Sequence, residues 1–222
     1  DIMLRLQGPV VTQTQLIFAA DWMQATGRLA APPAAPAPHT DADAGFVALA
    51  IAEGPSERAR STPQLVATLL ACARREVVIS TPYFIPDDAL RDALRHAARR
   101  GVAVDIVLPE VSNHRLADFA RSRAMRDLAE SGVLFHLLPA MSHAKAVVVD
   151  EQIALGGSIN LDLRSLLLNH EAGVVFYGKR EIAWMAQWLE GQKALGRAYV
   201  AQDPGIARDI AEGLLLAVAF QL

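Results

Sequence analysis

Ser142-His143-Ala144-Lys145-Ala146-Val147-Val148-Val149-Asp150, followed closely by Gly156-Gly157-Ser158-Ile159-Asn160, is the stretch on which the reading of this chain turns. Its apolar and polar residues alternate. In a strand, successive side chains point to opposite faces, so a strand over residues 143–149 would place His143 and Lys145 on one side. Asp150, five residues past Lys145, falls on the other side and is expected to have a different role. Small residues at 156–158 form a Gly-rich turn opening a short helix near Leu161, where backbone N–H groups can approach an anion. Taken alone, the stretch also reads as a half-buried strand with two incidental polar residues.

Working outward, strands and helices alternate on both sides. Glu76 to Ser80 and Val102 to Leu108 are β-branched runs of the kind buried on both faces of a sheet. Strands are also expected over Phe46–Ile51, Val133–Leu138, Ile153–Leu155 and Asn169–Tyr177. Helical spacing marks Pro63–Arg75, Ala89–Arg100 with Gly101 after it, Leu116–Ser131 with Gly132 after it, and two amphipathic helices at the carboxyl end. In the first of these, Trp184, Trp188 and Leu195 form a stripe expected to face the core. His136, among apolar neighbours, is expected to be a structural histidine. This order predicts an α/β fold, a mixed central sheet with helices on both faces.

Two loops end presumed strands, where open α/β sheets place ligands. Thr81-Pro82-Tyr83-Phe84-Ile85-Pro86-Asp87 offers aromatics fixed by prolines. It reads equally as a substrate loop carrying Tyr83 and Phe84, or as a rigid turn with Asp87 or Asp88 capping the next helix. His114 ends the other loop, within reach of a ligand there.

At the amino end, Ile2 to Gln7 alternates as a strand closed by Gly8-Pro9, and a helix over Val11–Thr26 ends at Gly27. Residues 28–45 are rich in Pro and Ala and are expected to be a linker. This gives three parts: 1–27, 28–45 and a main domain over 46–222. The chain has 222 residues, 52% of them hydrophobic and 20% charged, which describes a globular protein. A net charge of −3 speaks against dedicated nucleic-acid binding. Cys72 stands alone, so no internal disulfide can form. No apolar run approaches the ~20 residues of a membrane-spanning helix.

The order His143-x-Lys145-x4-Asp150-x6-Gly157-Ser158-x-Asn160 matches the HKD motif of the phospholipase D superfamily at every position. Gly8-Pro9 with Phe18 and Asp21-Trp22, the 81–87 loop, Gly101-Val102, Asn160-Leu161-Asp162-x-Arg164-Ser165 and Asn169-x-Glu171 extend the likeness. Together they resemble the carboxyl half of a bacterial cardiolipin synthase across nearly the whole chain except the Pro-rich stretch.

The resemblance implies phosphodiester transfer through a phosphohistidine, without metal or other cofactor. A phosphodiester resists attack because it is anionic, so a site must neutralise it and supply a nucleophile and an acid. His143 can act as either, and the resemblance favours acid and base. Lys145 would hold the non-bridging oxygens, with Asn160, Ser158 and the turn's amides completing a phosphate cradle. Glu171 is the candidate to orient the His143 ring, and Asp150 and Gly157 are the scaffold of the motif. Family members resemble two such units meeting across a pseudo-twofold axis, and this chain holds one.

The implied partners are therefore a phosphatidylglycerol-like phospholipid, a membrane surface, and a missing amino-terminal HKD half or a second copy of the chain. Residues 1–27 would be the tail of that preceding half, and localisation at a bacterial cytoplasmic membrane is expected. Three readings follow: a cardiolipin synthase-type transferase, a self-paired single-motif phosphodiesterase, nuclease or hydrolase, and a non-catalytic lipid- or partner-binding half-domain.

Overall fold

The computed structural model describes residues 1–31, 47–54 and 61–216. The expected linker lies outside them except for residues 28–31, as does Phe46. The chain runs α1 (Pro9–Thr26), β1 (Ala48–Glu53), α2 (Ser61–Cys72), β2 (Glu76–Ser80), β3 (Phe84–Ile85), α3 (Asp88–Arg99) and β4 (Ala103–Pro109). It continues α4 (Arg115–Glu130), β5 (Leu134–Leu138), β6 (Ala146–Val149), β7 (Ile153–Gly157), β8 (Leu161–Asp162) and α5 (Leu163–Leu167). β9 (Glu171–Phe176), α6 (Lys179–Leu195), β10 (Arg197–Ala198) and α7 (Ile206–Leu216) follow.

Eight strands form one mixed sheet in the order β1-β9-β7-β6-β2-β4-β5-β10. β2, β4 and β5 are parallel, while β6, β7, β9 and β1 pair antiparallel. Period-two alternation sorts the strand residues between two cores. Val77, Ile79, Val104, Ile106 and Leu108 pack on α2, α3 and α4 through Leu70, Leu94 and Leu128. Val78, Val148 and Phe176 pack on α6 through Ile182, Met185 and Leu189. The predicted layering of helices on both faces is what the structure has.

Some expectations change. Residues 2–7 form no strand among the described residues, although Ile2, Leu4 and Leu6 pack against the α6-side core. Alternating apolar residues make that segment read as a strand, yet it has a face to bury and no paired neighbour among the described residues. In α6 the core stripe is Ile182, Met185 and Leu189, whereas Trp184 and Leu195 are exposed and Trp188 only partly covered. Helix α1 buries none of its residues, and Leu16, Phe18, Trp22 and Met23 face outward.

His136 is structural, as expected: its Nε2 meets Asp105 Oδ1 at 2.5 Å, and Lys193 of α6 donates to the other Asp105 oxygen at 3.1 Å. Helix α3 starts at an Asp87 N-cap, whose side chain accepts from Leu90 N at 2.8 Å. Two of its arginines are held by other elements. Arg95 pairs with Asp127, and Arg100 donates to the Leu70 carbonyl at 2.7 Å.

Asp150 sits in the β6–β7 turn, at the end of β6 remote from His143. Its carboxylate accepts from the backbone N–H groups of Arg74, Arg75 and Glu76 at 2.8, 2.7 and 2.9 Å. The φ angles of Asp150 and Glu151, 53° and 52°, place both in the left-handed region, which Asp tolerates better than most residues. The clamp fixes the start of β2 against the β6–β7 hairpin. Burial pushes the Asp150 carboxyl up, and the three backbone donors together more than offset it, leaving the group below its ordinary 3.8. The stabilisation is therefore present above that value and fades as pH falls through the lower folded one. Asp150→Ala should destabilise the chain by about 2–4 kcal/mol in urea unfolding at neutral pH, and should flatten the acid limb of stability.

Candidate active site

The sheet's directions bring the site together. β2 and β4 are parallel, so the loops after Ser80 and Pro109 leave at one edge of the sheet. β6 runs the other way, with Ala146 opposite Ser80, so residues 143–145 enter at that same edge. Pairing of Ala146 with Gly156, and of Gly157 with Gly173, adds residues 158–162 and 169–171. Five loops distant in sequence thus converge on the quoted stretch.

Strand β6 begins at Ala146 rather than His143, yet the alternation persists. Ala144 is buried, while His143 and Lys145 lie on the open side. Lys145 Nζ stands 3.0 Å from His143 Nδ1, 3.1 Å from Nε2 and 2.7 Å from the His143 carbonyl oxygen. Gly157 is required by close approach, because a Cβ there would lie 2.6 Å from Gly173 Cα and closer still to the Ala172 oxygen. With glycine, β9 comes near enough to bring Glu171 under the motif.

Glu171 does not orient the His143 ring by a hydrogen bond. Its carboxylate accepts from the Ser158 hydroxyl, from Ser165 Oγ at 2.6 Å and from Asn169 Nδ2 at 3.2 Å. Among the described residues the carboxylate paired with the ring is that of Asp1, 3.7 Å from Nδ1. Ser158 is engaged too: besides Glu171, its hydroxyl accepts from Ala172 N at 3.0 Å. The Ser158, Asn160 and Leu161 amides donate to the Ala172 carbonyl, Ser165 Oγ and Thr81 Oγ1. The turn is thus a rigid knot of internal bonds rather than an open cradle of amides. β8 intervenes before α5, which begins at Leu163 with Asp162 as its cap.

Phe84 is buried against Phe135, with ring centroids 5.6 Å apart, because β3 pairs with β8 and turns the ring into the core. It cannot touch substrate there. Tyr83 does face the site. Its ring lies edge-on to His143 at 6.1 Å and to His114 at 5.7 Å, and its hydroxyl donates to Asn113 Oδ1 at 2.6 Å. Asn160 lines the same opening. Sequence reasoning missed Asn113, Asp162, Ser165 and Asn169 as site members; the runs Asn160-Leu161-Asp162-x-Arg164-Ser165 and Asn169-x-Glu171 carried the signal for the last three.

Burial, together with the neighbouring Lys145 ammonium, holds His143 below its ordinary 6.5, so the ring is neutral at pH 7 and able to take a proton. Burial likewise pushes Lys145 down to about 8, against the opposing pull of Glu171 and Asp162. Asp162 is itself raised by burial. The site therefore offers a cation whose charge is held by acids it does not touch.

Glu171→Gln removes the first of those acids, so Lys145 should titrate below its wild-type value of about 8. Lysine-selective NMR titration reads this directly. Phosphate capture by Lys145 should weaken as pH rises through that value, because the ammonium loses its charge.

Comparison with known proteins agrees with the geometry. The family model for the cardiolipin synthase, PLD-like domain matches residues 66–192. Cardiolipin synthase A of Proteus mirabilis is 39% identical over 179 residues, 79% of this chain and 37% of that protein. The Pectobacterium carotovorum cardiolipin synthase A is 35% identical over 178 residues, with the same coverage. The chain thus spans a little over a third of the length of these relatives. Among solved structures, Nuc of Salmonella typhimurium, a phospholipase D family member, superposes with a TM-score of 0.59 at 25% identity. That match covers 69% of this chain and 99% of Nuc. Phosphatidylserine synthase of Haemophilus influenzae shares the fold at a TM-score of 0.64 and 16% identity, covering 100% of this chain and 57% of that one. With its motif, fold and family match in agreement, the chain belongs to the cardiolipin synthase family of phospholipase D-like domains.

Proposed function

We propose that this chain supplies one half of a phosphatidyl transferase of the cardiolipin synthase type. The observation that carries the reading is His143 and Lys145 side by side at the end of the central strands, next to Tyr83, which lines a pocket with Asn160, in a chain with a single His-x-Lys pair. As the nucleophilic histidine attacks phosphorus, His143 in its charged form gives its proton to the leaving alcohol; neutral thereafter, it takes the proton of the attacking alcohol as the phosphohistidine is broken. Lys145 and the Asn160 carboxamide neutralise the phosphoryl oxygens as charge develops on them. The nucleophilic histidine comes from a preceding half, of which residues 1–27 are the tail. Glu171 acts through Lys145 and the Ser158 knot, not through the His143 ring. The substrate is a phosphatidylglycerol-like lipid met at a membrane surface, the cytoplasmic membrane of a bacterium. No helix among the described residues is long and apolar enough to cross a membrane.

The nearly complete match to Nuc supports a second reading, in which two copies of the chain build the site as a phosphodiesterase. The two separate in sedimentation and substrate. A two-half protein containing this chain should convert labelled phosphatidylglycerol to cardiolipin, and His143→Ala should slow it by about 10²–10⁴-fold. Unchanged turnover in that variant would sink both readings and leave a binding domain. A dimer of the chain alone that cleaves bis-nitrophenyl phosphate would favour the second.

A further inference from the structure

Helix α7 holds its acids inward and its apolar side out. The fully buried Glu212 accepts from Arg126 of α4 at 2.6 Å and from Arg208 at 2.8 Å, and Asp209 accepts from Arg126 at 3.0 Å. On the same inner side Leu215 packs with Ile85, Ala117 and Ala120, beside Tyr83. The outer side is the reverse. Ile206, Ile210 and Leu214, each four residues from the next, are 83%, 59% and 69% exposed, and Ala207 and Ala211 among them are exposed too. At about 100° per residue these five positions span about 140° of the helix surface without a charge.

We propose that this face of α7 lies on an anionic phospholipid bilayer, flat in the boundary between headgroups and acyl chains, and keeps the HKD pair beside the lipid surface. The inference rests on the reading of the substrate as a membrane lipid. Charge is the first argument. With Asp209 and Glu212 engaged by α4, the strip is flanked by two guanidiniums, those of Arg208 and Arg123, 55% and 48% exposed. Arg123 reaches its flank because Gly213 has no side chain: a Cβ there would lie 2.6 Å from Nη1. Asp203, ahead of the helix, accepts from Gly205 N at the end away from Leu215. Arginines so placed keep their heads among phosphates while the strip meets acyl chains, as in helices that lie on membranes. Extent is the second. The 11 residues of α7 make a helix about 16 Å long, so the strip covers on the order of 200 Å², against about 800 Å² per partner in a stable protein contact. Position is the third. Tyr83 packs with the Leu215 cluster and lies edge-on to His143 at 6.1 Å, so a bilayer under α7 lies beside the site.

Vesicle flotation tests this without turnover, so its outcome is separate from that of the transfer reading. The chain should float with phosphatidylcholine vesicles containing about one third phosphatidylglycerol, and about tenfold less with phosphatidylcholine alone or in high salt, which screens the arginines. His143→Ala should float as wild type does. Ile210→Ser combined with Leu214→Ser should lower partitioning by about tenfold or more, and Arg123→Gln by about fivefold. Both stripe residues are already exposed, so the double variant should unfold at the wild-type temperature, and its lost flotation is not lost fold. An environment-sensitive fluorophore on Ile210→Cys, in a Cys72→Ser background, should shift to the blue with the anionic vesicles. No flotation, equal flotation with neutral and anionic vesicles, unchanged flotation of the double variant, or a fluorophore that stays in water overturns the proposal. So does a lipid-free dimer that the double variant turns into a monomer, which assigns the strip to a second copy. Flotation by a two-half protein that makes no product sinks the transfer reading and leaves the bilayer contact standing.

Discussion

The antiparallel ladder between β2 and β6 is the constraint on which the rest depends. It sets Ser80 opposite Ala146 and Val77 opposite Val149, so the end of β2 and the entry to β6 share an edge. A one-residue slip would turn His143 and Lys145 into the sheet's other face. Asp150 pins that register from the far end, by holding three consecutive amides at the start of β2. The third motif residue thus aligns His143 and Lys145 from four strand residues away.

Around that ladder the site balances two opposed demands. Partial burial strengthens the field of the Lys145 ammonium, yet the same burial drives its proton off. Glu171 and Asp162 counter this from a distance, tied down by Ser158, Ser165 and the α5 amides so that neither neutralises the ammonium by direct pairing. The glycines at 157 and 173 make this possible, since any side chain at 157 would push β9 and its carboxylate away. The motif's Gly, Ser and distant Glu are therefore one device.

The outer surface has the opposite character. Helix α1 keeps Leu16, Phe18, Trp22 and Met23 outward, and residues 2–7 have no ladder partner among the described residues. By contrast α7, also at a terminus, is well held, with Arg126 and Arg208 converging on the fully buried Glu212.

Local pattern alone determined a good deal: the alternation of strands and helices, the two-faced sheet, a cap at Asp87 or Asp88 as one of two readings of that loop, and the placing of His143 and Lys145 on one side with Asp150 on the other. Each follows from side-chain period or from residue chemistry within a few positions. Tertiary structure decided what depends on a distant partner. Phe84 looks like a loop aromatic until β3 pairs with β8 and swings it onto Phe135. Ile2 to Gln7 has a strand's alternation and no neighbouring strand, and Trp184 has helical spacing but lies outside the stripe that meets the sheet. Glu171 was legible as a site residue, but its partners were not, because they are set by how closely β9 approaches β7 across two glycines. A sequence fixes the direction each side chain takes from its own backbone, and only the fold fixes what it meets there.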